Sequence, residues 1–414
     1  MSDSEGVCGE NLLAIRLTGC LLIIAFLVLI VLVVMSPHRF VYDEHFFANY
    51  ITLFHQYGFT SRFMNSLTGT VGPLYAFVQV VFEPLTQLNP VGMRLVNVFL
   101  LLMVAAVLAA WTKGKKRSDY WIEGCSVLVV PMTWVLAGLA LSEMSALICV
   151  TLSLCLLLRG LESLERRKHV LGWFVTSACL LGISVWGRQP YLLLTGILVL
   201  VALIERRARM AALVYMGIVV ALAMPLFLIW GGLVPPSHRF VQQGISLTHG
   251  VISLGYTGIC FMLLAPRCKW LPAKVMMGLA LVTAAVNGWF GACVLFPVRS
   301  SVDRFVPSSV VAAYGTLCGS LMLSFGVVFL AFLFHTIWRN RGDLKQVAIY
   351  AGLLCVAASP VFIAHQYSSR YTAMSLPYLM LAAQPWREQT ILTFSTGVVG
   401  CGIGFLSLVG YFKS

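Results

Sequence analysis

Apolar residues in this chain come in long runs rather than in alternation. Segments near 17–35, 92–111, 120–138, 143–159, 170–187, 190–205, 210–230, 246–265, 272–292, 312–338, 345–363, 371–385 and 389–411 read as helices. Several approach or exceed the roughly 20 apolar residues that a helix needs to cross hydrocarbon. None shows the alternation, over about ten residues, of an outer-membrane barrel strand. The pattern therefore predicts an all-α polytopic membrane protein. It forms one domain over residues 1–414, with about 11–13 transmembrane helices, the shorter segments being candidates for re-entrant elements.

Between the first two runs lies the longest polar stretch, Ser36 to Val91, read as the first external loop. Loops of that length in compact proteins commonly carry function. Phe46, Phe47, Tyr50, Phe54 and Tyr57 recur at three- and four-residue steps, so Asp43 to Tyr57 reads as an amphipathic helix lying in the interface. The Thr68–Pro73 turn holds two glycines that let another backbone come close. Tyr75 to Glu83 reads as a second interfacial helix ending before Pro84.

Composition removes the soluble classes. Hydrophobic residues make up 59% of the chain and charged residues 10%, far from the quarter typical of soluble domains. With a cytoplasmic N-terminus, most of the 28 Lys and Arg fall in short inner turns, including Lys113, Arg159, Arg166, Arg206, Arg267, Arg339 and Arg387. That positive-inside bias accounts for the net charge of +13 without a nucleic-acid partner. The 12 Cys form no CxxC pair and mostly fall inside apolar runs, so they read as small buried hydrophobes rather than disulfides or zinc ligands. The acidic first residues lack the basic region of a cleavable signal, so the first run is expected to remain as an anchor. No glycine-rich nucleotide loop is present.

The basic residues assigned outside run against the topology bias, and each asks for a reason: Arg39, Arg62, Arg94, Arg188, Arg239, Arg299, Arg304, Arg370 and Lys413. On the same face lie the carboxylates Asp43, Glu44 and Glu143, together with His238 and His365. Plain structural readings stand beside functional ones: Asp43 as a helix N-cap, Glu143 as a first-turn cap, Arg188 snorkelling to headgroups, Asp303 with Arg304 or Arg299 as a surface pair. Carboxylates and cations around one membrane-edge pocket suit glycosyl transfer from a lipid-linked phosphate. A carboxylate takes the proton from an acceptor hydroxyl, and arginines stabilise the departing phosphate.

In chain order, Tyr42-Asp43-Glu44, Ser142-Glu143-Met144, Arg188-Gln189-Pro190, and Arg370-Tyr371 followed by Leu376-Pro377 resemble the GT-C superfamily of integral-membrane glycosyltransferases. With Gln56-Tyr57 and Gly72-Pro73-Leu74-Tyr75 added, the chain loosely resembles the dolichyl-phosphate-glucose α-1,2-glucosyltransferase branch. The segment after the seventh helix is shorter than in that branch, and its histidine pattern is reduced to His238. The resemblance implies a GT-C-like bundle, a polyprenyl-phosphate-linked sugar as donor, and a lipid-linked or surface glycan as acceptor. It implies a site on the non-cytoplasmic face of a plasma, inner or endoplasmic-reticulum membrane. Asp43 would be the general base, with Glu44 supporting it or holding a divalent cation, and Glu143 orienting the acceptor or assisting the metal. Arg188 and Arg370, with Tyr371 and Arg304, would bind the donor phosphate, and His238, His365 and Gln189 would line the acceptor side.

A transporter or lipid flippase is the competing class, and an inactive scaffold of the same fold a third. Carriers place ionisable groups near the midplane, often in repeated halves. Here the expected helix centres are nearly free of charge, and no internal repeat is evident.

Overall fold

The computed structural model describes residues 3–69, 71–113, 120–166, 171–239, 244–295, 307–363, 367–388 and 390–413, without the side chains of 3–12, 113, 238, 308 and 309. Among the described residues there are helices and no strand. In chain order they are α1 (Asp3–Val34), α2 (Glu44–Tyr57), α3 (Ser61–Ser66), α4 (Leu74–Thr86), α5 (Pro90–Lys113), α6 (Tyr120–Cys125), α7 (Pro131–Gly138), α8 (Glu143–Glu165) and α9 (Leu171–Val185). There follow α10 (Thr195–Ile204), α11 (Arg209–Trp230), α12 (Leu247–Leu264), α13 (Ala273–Phe290), α14 (Ser308–Arg339), α15 (Leu344–Ala358), α16 (Arg370–Ala373), α17 (Leu376–Ala383) and α18 (Ile391–Lys413). Nine helices among the described residues are long and apolar enough to cross a bilayer, or 10 if α6 and α7 form one bent span. The chain is thus an integral multi-pass membrane protein.

Three expected elements differ from their hydropathy reading. The 120–138 run is not one straight helix: Val130 is extended and Pro131 restarts the chain as α7 at 82° to α6 and its 3-10 extension. The 371–385 run is α16, α17 and a 3-10 turn at Gln384–Trp386, with Pro377 and Pro385 each opening a new piece. In the first loop, α4 continues through Pro84, which is exposed, to Thr86, and α4 buries Tyr75, Ala76 and Gln79.

Packing places the core around α8. It lies against α9 and α5, and α5 in turn holds α6 and α7. Around that core, α11 packs on α9, and α12 and α13 pack on α14. Only Asn287 of α13 is fully buried, so most of its apolar surface is open, as expected of a helix at the rim of a membrane bundle. The first loop is not a detached cover: α2 packs on α4, and α4 reaches both α5 and α8. That places the loop against the starts of α5 and α8.

Candidate functional site

The site is built on the first turns of α5. Arg94, fully buried in an apolar helix, needs a partner for each of its five N–H groups, and it has them. Its Nε and Nη2 donate to Glu44 Oε1 and Oε2 at 2.8 and 2.6 Å. Nη1 donates to Ser36 Oγ and the Pro37 carbonyl at 2.6 and 2.7 Å, and Nη2 also to the Arg39 carbonyl at 2.9 Å. Glu44 is as fully used, since Val41 N–H and Ala140 N–H donate to its other lone pairs at 2.7 and 2.6 Å. One turn further along α5, Asn97 Nδ2 donates to the carbonyls of Leu139 and Leu141 at 2.7 and 2.8 Å. These bonds fix two short segments at once: residues 36–44, which carry Asp43, and the 139–142 turn, which carries Glu143 at the start of α8.

Asp43 stands at the N-cap of α2, but its side chain makes no capping bond. Its Oδ2 instead accepts from Arg370 Nη2 at 2.7 Å, a contact across 327 residues. Tyr42, just before it, is held in the left-handed region at φ 51, a costly conformation for a bulky residue. That backbone lays the Tyr42 ring 5.0 Å from the Arg370 guanidinium carbon. The other side of Tyr42 meets the edge of Tyr411 in α18, also at 5.0 Å.

Glu143 and Arg188 complete the cluster. Arg188, at the turn after α9, is buried rather than snorkelled to headgroups, and Nη2 pairs with Glu143 Oε1. Arg370 Nη1 is 3.9 Å from the same carboxylate oxygen, too far for a hydrogen bond but close for two opposite charges. The 186–188 turn is seated on the first loop, where a side chain at Gly72 would collide with the Trp186 carbonyl and the Leu74 N–H reaches that carbonyl at 3.4 Å. Gly72 is therefore required for the close approach that sets Arg188 over Glu143.

Asp43, Glu143, Arg188 and Arg370 form a compact group of two negative and two positive side chains. Burial disfavours the Arg370 charge, but the Glu143 and Asp43 carboxylates outweigh it and raise its pKa, so it stays protonated at every working pH. Burial raises the Tyr371 phenol, against the pull of Arg188 and Arg370, so that hydroxyl remains neutral. The group is charge-balanced yet incompletely bonded. Arg188 Nε, Arg370 Nη1 and Gln189 Nε2 are buried with no hydrogen-bond partner among the described residues. Buried polar atoms without partners are costly, and both Glu143 carboxylate oxygens beside these donors are also without a hydrogen bond among the described residues.

No family model matches the chain, and no curated protein does. Among solved structures, the chain is similar to ArnT from Cupriavidus metallidurans bound to undecaprenyl phosphate, at 14% identity and a TM-score of 0.44, covering 94% of this chain and 77% of that one. It is also similar to the apo state of the same protein, at 14% identity and a TM-score of 0.41, covering 96% and 78%.

Of the residues singled out in the sequence, Asp43, Glu143, Arg188 and Arg370 come together with Tyr371 near their charges, and Gln189 follows Arg188 in the chain, whereas Glu44 turns away into the Arg94 network. Arg304, His365 and the His238 side chain lie outside the described residues. Arg94 was singled out by the topology rule alone and Tyr42 only as a member of the Tyr42-Asp43-Glu44 motif, and Asn97 carried no signal that distinguishes it from other helix residues. Arg387, grouped with the inner-surface basic residues, is instead buried on Glu123 at 2.8 Å, at the opposite end of α5 from Arg94. The resemblance also admits a divalent cation, and the donor set does not fit one. Glu44 has two donors on each oxygen, and Asp43 and Glu143 each face an arginine. Among the described residues no group of three or more His, Cys, Asp or Glu could hold a metal ion.

Proposed function

We propose that this protein is a membrane glycosyltransferase of the GT-C type, moving a sugar from a polyprenyl-phosphate donor to an acceptor hydroxyl on the non-cytoplasmic face. The observation that carries this reading is the set of unpartnered buried donors on Arg188, Gln189 and Arg370 beside a part-exposed carboxylate. A phosphate offers oxygens to such a fork of donors, and guanidinium is the group best shaped to take them. The group lies at helix ends, among the starts of α2, α8 and α16 and the turn after α9, a position that suits a lipid headgroup whose tail stays in hydrocarbon.

In the proposed reaction the acceptor hydroxyl gives its proton to Asp43 as its oxygen bonds to the anomeric carbon. The bond from that carbon to the phosphate oxygen breaks, and the bonding pair leaves with polyprenyl phosphate. Arg370 and Arg188 hold the charge that develops there, which matters most where water is excluded. Glu143 keeps Arg188 in place and balances its charge. Glu44 is a positioning residue, because both of its oxygens are already saturated.

The test is transfer itself. Purified protein in lipid nanodiscs is given a panel of polyprenyl-phosphate-linked hexoses with a lipid-linked oligosaccharide acceptor, and product is read by mass spectrometry. Transfer with release of polyprenyl phosphate is expected. Binding of no polyprenyl phosphate, together with no transfer from any donor, would falsify the reading.

A further inference from the structure

We propose that Arg370 is a counterion shared by Asp43 and the donor phosphate, so that the two anions compete for it when the donor binds. The inference rests on the proposed function and adds this competition to it.

Three observations carry it. First, the group is already neutral, with Asp43 and Glu143 against Arg188 and Arg370, so an arriving phosphodiester brings one negative charge too many. A carboxylate must then give up its arginine. Second, the two carboxylates are held unequally. Glu143 is buried beside Arg188, whereas the Asp43 side chain is 31% exposed. Asp43 can return to water at little cost, and Glu143 cannot. Third, Arg370 cannot escape the incoming anion. Its side chain is only 10% exposed, Tyr42 lies over its guanidinium, and Nη1 is left without a hydrogen-bond partner among the described residues. It can exchange Nη2 from Asp43 to phosphate without moving far.

The consequence is chemical. Asp43 keeps further lone pairs for an acceptor hydroxyl beside the one that takes the Arg370 N–H. Transfer of the guanidinium onto phosphate leaves the new ion pair where the leaving group forms.

Undecaprenyl phosphate is a suitable probe of the exchange, titrated against the full chain in nanodiscs. Asp43→Asn removes the competing charge and should bind the lipid about tenfold more tightly than the unaltered protein. An unchanged thermal midpoint for this variant shows that the fold is kept, and Asp43→Ala provides a second reading of the same competition. Equal or weaker binding by both variants, with the unaltered protein binding well, overturns the exchange and leaves the proposed function standing. Absence of binding by all three proteins overturns the competition, and together with no transfer from any donor it overturns the proposed function as well.

Discussion

Arg94 and Arg370 each meet one carboxylate of the same dipeptide, Asp43-Glu44, and the two pairs are finished to different degrees. All five donors of Arg94 are used, and Glu44 accepts two bonds on each oxygen. Arg370 reaches Asp43 with one nitrogen and Ser368 Oγ weakly at 3.3 Å, and leaves Nη1 unbonded among the described residues. A saturated buried pair has no capacity left for a ligand, and its removal exposes an uncompensated charge. An unsaturated one pays for open donors in stability and keeps them for binding. Adjacent residues in the chain thus serve two ends: Glu44 holds the loop, and in the proposed reaction Asp43 faces the substrate.

That contrast can be broken by substitution. The largest effect is expected at Asp43→Asn, which should lower transfer by about 10²–10⁴-fold if this carboxylate is the base, while thermal stability stays nearly constant. Glu44→Gln should do the reverse to stability, costing about 3–5 kcal/mol because Arg94 loses its counter-charge, measured by thermal melting in nanodiscs. Replacing both partners together, Glu44→Leu with Arg94→Met, should recover part of that stability without recovering transfer, since the 36–44 segment loses its anchor. The smallest effect belongs to Gln189→Ala. One neutral donor contributes about 0.5–1.5 kcal/mol, so binding of undecaprenyl phosphate should weaken by about two- to tenfold with no change in fold.

The helices were legible because hydrocarbon imposes length and apolarity on each one separately. What hydropathy could not show is where a span breaks. Pro131 turns the 120–138 run sharply, and Pro377 and Pro385 divide the 371–385 run, whereas Pro84 leaves α4 continuous. At the site, lone charges in external turns were visible as anomalies, and Asp43, Glu143, Arg188 and Arg370 are together in space. Their pairings were not visible, because each joins turns far apart in sequence, as Arg188 does with Glu143. The separation of Asp43 from Glu44 was equally hidden. It depends on Tyr42 at positive φ and on Arg94 lying where it can claim the second carboxylate.

The central claim is that Arg370 receives the phosphate of a prenyl lipid. Binding of undecaprenyl phosphate to Arg370→Gln in nanodiscs, beside the unaltered protein, tests it most directly. The account predicts a loss of about 10–100-fold in affinity, the size of a charged hydrogen bond, with a preserved melting transition. Equal affinity in the two proteins would contradict it.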